Sequence, residues 1–97
     1  CGAVAATVDQ VLNPTRAITP NIRVIADRIE PVVRKRLERD PGIDREKLLN
    51  LVVGDNVRAA VEGLADGSAL LADRVRRGRL TLVGAEYSLE TGEVEFF

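Results

Sequence analysis

Histidine is missing from all 97 residues. That removes the commonest general base and the commonest metal ligand. A Ser-His-Asp triad, a Cys-His dyad and a self-contained catalytic zinc site are therefore excluded within this chain. Trp and Met are absent too, and the aromatics are only Tyr87, Phe96 and Phe97. Any core must be built from Val, Leu, Ile and Ala. The one Cys, Cys1, cannot form an internal disulfide, so the expected compartment is the reducing cytoplasm. No apolar run approaches the roughly 18 residues of a membrane span, and no basic-then-apolar signal opens the chain, so no membrane partner is expected. Charge of either sign is not in excess. The 14 Lys+Arg stand against 15 Asp+Glu, a net charge of -1, whereas a general nucleic-acid binder is normally basic.

What remains is the composition of one small folded domain, with 45% hydrophobic residues and neither repeats nor low-complexity linkers. The chain opens without Met at Cys1-Gly2-Ala3-Val4-Ala5-Ala6, which reads as an interior piece of a longer protein. Val4, Val8, Val11 and Leu12 fall at helical spacing, with Asp9 and Gln10 opposite, and Asn13-Pro14 ends the run. Cys1 then sits at a helix N-terminus. The open N–H groups there favour a thiolate, the form that binds zinc. The alternative is a small apolar residue with no such role.

Thr19-Pro20 predicts a second helix, with Thr as cap and Pro at the first position. Ile22, Ile25, Ala26, Ile29, Val33 and Leu37 form its stripe. Pro31 is expected to break or kink it near Arg28–Glu30, and Asp40-Pro41-Gly42 closes it. Arg34-Lys35-Arg36 reads as a solvated face, because Glu30, Glu38 and Asp40 lie nearby. A long helix should begin at an Asp44 cap. Its broad apolar face runs from Leu48 to Leu64, and Gly54 inside it suggests a close neighbour. Asp66-Gly67 stops this helix. Ser68 caps a short last one that ends at Gly78.

The tail changes character. Leu80–Ala85 is apolar on both sides, as in a strand buried on two faces, and Tyr87-Ser88-Leu89 continues it. Glu90-Thr91-Gly92-Glu93 predicts a hairpin turn with Gly92 in the left-handed position, and Val94–Phe97 returns antiparallel with Glu93 and Glu95 outward. One hairpin is marginal alone, so further strands are expected from preceding residues or another chain. The fold class is α/β: helices followed by a C-terminal strand and hairpin, incomplete as a 97-residue chain. Arg74, Arg76, Arg77 and Arg79 complement a helix C-terminus better than they suggest a nucleic-acid site.

Two stretches carry a family resemblance. Cys1-Gly2-Ala3-Val4 with Ala6 resembles the segment after the second zinc cysteine of bacterial β-class carbonic anhydrases, which reads H-x-x-C-G-A-V-x-A-A. The tail from Gly78 to Phe96, including Val83-Gly84-Ala85-Glu86-Tyr87 and Leu89-Glu90-Thr91-Gly92-Glu93-Val94, resembles that family's closing strand and hairpin. Asn21-Ile22-Arg23 and Asn56-Val57-Arg58 fit in order and spacing. The resemblance implies that residues 1–97 are the C-terminal portion of a single such domain, within a mainly parallel sheet. It implies Zn2+ as cofactor, held by two Cys and one His, with water or an Asp carboxylate in fourth place. Zinc-bound hydroxide would convert CO2 to bicarbonate. By the same resemblance Cys1 is the second zinc cysteine, and the protein is a homodimer or larger. The family's His, first Cys and Asp-Arg pair have no counterpart here. No catalytic residue is therefore assigned in this chain, which should be inactive without its missing N-terminal half or a second chain. The competing reading is a non-enzymatic helical interaction module that pairs its hairpin with a partner sheet.

Overall fold

The computed structural model describes residues 1–14 and 19–97, which comprise four helices and one small sheet. The chain divides into two compact units, residues 1–56 and 57–97.

In the first unit, α1 (Gly2–Leu12) ends at Asn13, as its Asn-Pro pair requires. Helix α2 (Pro20–Arg39) begins with Pro at its first position. Thr19 occupies the cap position in extended backbone, but its hydroxyl makes no capping bond. Of the expected break or kink at Pro31, the break does not occur, and α2 runs through it. Pro31 deprives the Asp27 carbonyl of its helical donor. The turns on either side are anchored, because Ile29 and Val33 are both buried in the core. Helix α3 (Arg45–Asp66) starts after Asp44, whose carboxylate accepts from the Lys47 N–H at 3.4 Å.

Val4 and Val8 of α1, Ile29 and Val33 of α2, and Leu48 and Val52 of α3 form one buried cluster. Val11, Val32, Leu37, Ile43, Leu49 and Val53 pack around it. Full burial of such a side chain is worth about 1.5–3 kcal/mol, so this aliphatic cluster is the main stabilising feature of the unit. Thr7 is the one buried polar residue among those described, and its hydroxyl donates to the Ala3 carbonyl at 2.8 Å. Gly54 is buried within α3. The stripes are narrower than their spacing suggested: Leu12, Ile22 and Ile25 are exposed.

In the second unit, α3 ends at Asp66-Gly67 and α4 (Ala69–Arg76) begins at Ser68, whose hydroxyl accepts from the Leu71 N–H at 3.2 Å. Gly78 takes the left-handed conformation (φ 71°) that ends the helical path. The expected long strand is shorter than Leu80–Leu89. Only β1 (Ala85–Tyr87) pairs, antiparallel with β2 (Val94–Phe96), in the register Ala85↔Phe96, Glu86↔Glu95, Tyr87↔Val94. A strand needs a paired neighbour, and β2 is three residues long. The segment before β1 is not buried on two faces either, since Val83 is exposed. Gly92 sits at the turn with φ 74°, as the turn chemistry demands. Among the described residues this two-stranded antiparallel hairpin is the only sheet, so no parallel sheet is present in them.

Gly84 lies close against the C-terminal part of α3. A Cβ there would lie 2.5 Å from Val57 Cγ1 and 3.1 Å from Val61 Cγ2. The chain end is fastened to the same place. The Phe97 N–H donates to the Gly84 carbonyl at 2.9 Å, and the Arg58 guanidinium lies 4.8 Å over the Phe97 ring.

Candidate functional site

Cys1 stands at the N-cap of α1, exposed and as a free thiol. Its carbonyl accepts the Ala5 N–H at 3.1 Å, the first bond of the helix, and its side chain caps nothing. The structure thus places the predicted ligand where the sequence put it, but gathers no companions. Among the described residues no group of three or more His, Cys, Asp and Glu could hold a metal ion.

Beginning at Gly2, the residue after Cys1, a cleft of about 840 Å³ opens between α1 and α2. Ala3, Ala6, Ile22, Ile25 and Ala26 supply its apolar walls. Small alanines on α1 leave the space, and the half-exposed isoleucines of α2 face into what they would otherwise fill. Arg45 stands at its rim and grips Asp9 through two bonds of 2.7 and 3.0 Å. This hydrogen bond, and then the carboxylate charge, push the Arg45 guanidinium further into its protonated range. Both side chains are more than half exposed, so the pair contributes little to stability.

Two ion pairs escaped the sequence reading. Arg36, which the sequence pattern assigns to a solvated face, instead reaches Asp55 with two bonds of 2.8 and 2.7 Å. The side chains are only 23% and 21% exposed, so this bidentate pair ties α2 to α3. Arg36–Asp55 and Asp9–Arg45 span 19 and 36 positions, and local spacing rules see only neighbours three or four apart. Arg34 does pair locally with Glu30. At the end of α4, Arg74, Arg76 and Arg77 all pair with Asp73, which supports a structural role for that basic run.

No described helix is long and apolar enough to cross a membrane. No curated protein and no solved structure matches the chain. A family model described as carbonic anhydrase matches residues 1–94, from the exposed thiol to the first residue of β2. A match of that extent leaves only the last three residues outside it, and the chain belongs to the carbonic anhydrase family.

Proposed function

We propose that this chain is part of a β-class enzyme that reversibly hydrates CO2 to bicarbonate in the cytoplasm of a bacterium. The observation that carries this reading is the family match across residues 1–94. The residues present do not by themselves fit the zinc ion the family implies. A catalytic zinc takes three protein ligands, and this chain offers one thiol and no imidazole. Cys1 supplies one thiolate in this proposal. The remaining ligands come from residues outside these 97 or from a second chain, and the protein works as a dimer or larger assembly. The open edges of β1 and β2 then extend into a sheet contributed by those residues.

The test is stopped-flow CO2 hydration. The 97-residue chain with added zinc is expected to show no turnover, and rapid turnover would refute the need for outside ligands. The intact native protein is expected to hydrate CO2, and its Cys1→Ser variant to lose both bound zinc and activity. Retention of both would overturn the assignment of Cys1. The second reading, a non-enzymatic module that adds its hairpin to a partner sheet, is favoured by those same open edges. It gains if the intact native protein is inactive.

A further inference from the structure

The last turn of α4 gathers an excess of positive charge in one place. Arg76 donates to Asp73 Oδ1 at 2.7 Å and Arg77 to the same oxygen at 3.1 Å, while Arg74 stands 3.5 Å from Asp73 Oδ2. One carboxylate thus orients three guanidiniums and neutralises the charge of one. A fourth is brought back to the group by the backbone. The Gly78 N–H donates to the Val75 carbonyl and the Arg79 N–H to the Arg74 carbonyl, both at 3.0 Å, with Gly78 at φ 71°. This closure of the helix end holds Arg79 beside Arg74. It also gives two of the terminal carbonyls a donor, which weakens the negative field an anion would meet there. The side chains of Arg74, Arg76 and Arg77 are 45%, 76% and 61% exposed, so each keeps N–H donors turned to water. Arg79 is exposed as well.

We propose that this closed helix end, with Arg74, Arg76, Arg77 and Arg79, is a binding site for a small soluble compound carrying two or more linked phosphate groups. The planar fork of Arg matches phosphate oxygens, which it can hold through two parallel bonds. A ligand here competes with Asp73, a carboxylate already tethered in place. A singly charged anion such as bicarbonate therefore has no advantage over it. Exposed ion pairs are individually weak in water, so only an anion that meets several guanidiniums at once is retained. Linked phosphates supply that number of charges in one molecule. The surrounding charge limits the size of the ligand. Residues 57–97 carry seven Asp and Glu against five Arg, and Glu86, Glu90, Glu93 and Glu95 lie along the hairpin. A unit of net negative charge repels an extended polyanion such as nucleic acid or an anionic membrane, whereas a compact ligand samples the arginines alone.

This inference does not rest on the hydration chemistry. Isothermal titration calorimetry of the full 97-residue chain at about 20 mM sodium chloride tests it, with sodium tripolyphosphate, pyrophosphate and inorganic phosphate as the probes. Tripolyphosphate is expected to bind at least about tenfold more tightly than inorganic phosphate, with pyrophosphate between them. Its affinity should fall at least about fivefold when the salt is raised to about 200 mM. Arg76→Gln together with Arg79→Gln alters two exposed positions. This double variant should keep the helical circular dichroism and lose at least about tenfold in affinity for tripolyphosphate. Arg28→Gln together with Arg39→Gln removes the same charge from exposed positions of α2 and should leave the affinity within about twofold. No binding of tripolyphosphate, or an equal loss in the two double variants, overturns the site. Equal affinity for inorganic phosphate overturns the need for linked phosphates. Sedimentation of the chain with phosphatidic acid vesicles, in place of tripolyphosphate binding, overturns the soluble ligand.

Discussion

Substituting Gly84 by Ala is a direct test of how the second unit is assembled. The added methyl would sit 2.5 Å from Val57 Cγ1 and 3.1 Å from Val61 Cγ2. Both neighbours are valines on a helix, where one χ1 rotamer dominates, so neither can swing away cheaply. Overpacking of this kind costs about 1–3 kcal/mol. Gly84 is not among the left-handed glycines, so Ala is not barred by its backbone. Loss of chain freedom in the unfolded state returns about 0.4–1 kcal/mol. The net expectation is a destabilisation of about 0.5–2 kcal/mol. Tyr87 is the only Tyr and Trp is absent, so intrinsic fluorescence reports on the hairpin alone. Urea titration followed at Tyr87 should show the midpoint fall in Gly84→Ala. With a slope near 1 kcal/mol per molar, typical of a small unfolding unit, the fall is about 0.5–2 M. Val57→Ala removes the nearer obstructing methyl. The double variant should therefore recover stability relative to the sum of the singles, with a coupling of about 0.5–2 kcal/mol. Additive singles, or a Gly84→Ala protein as stable as the parent, would refute the close approach.

Leu48 is fully buried, and Leu48→Ala should cost the first unit about 2–5 kcal/mol, read by far-ultraviolet circular dichroism during denaturation. Asp55→Asn leaves Arg36 half-buried against a neutral partner and should cost about 1–3 kcal/mol in the same assay; a loss below a few tenths would mean the pair is only a surface contact. Ser68→Ala removes the cap of α4 and should cost about 1 kcal/mol. Gly92→Ala forces a side chain into a backbone with φ 74° and should weaken the hairpin by about 1–2 kcal/mol, seen at Tyr87.

Helix boundaries were legible because their signals are local. Asn13-Pro14, Pro20, Asp44, Asp66-Gly67, Ser68 and Gly78 each act on the nearest turn, and the ends fall where they stand. Gly92 was legible for the same reason. Pro31 does not end α2, because its penalty is local while the packing that opposes a break is not: Ile29 and Val33, on either side of it, are buried in the core. The Leu80–Leu89 run misled because apolar composition alone does not make a strand without a partner to bond. Arg36–Asp55 and the α1–α2 cleft depend on which helix faces meet, and periodicity fixes a face without naming its neighbour. Cys1 was legible as a position, at the head of α1, whereas the ligand set it would need does not lie in the sequence.

All seven buried apolar side chains among the described residues, from Val4 to Val52, belong to the first unit. The second has Gly84 alone fully covered, and α4 buries nothing. Such an imbalance sets a gradient of local opening. Amide protons of α4 and the hairpin should exchange with solvent long before those flanking Val8, Val33 and Leu48. A trypsin-like protease, offered the arginines at the end of α4, should trim that region while the three-helix cluster is still intact.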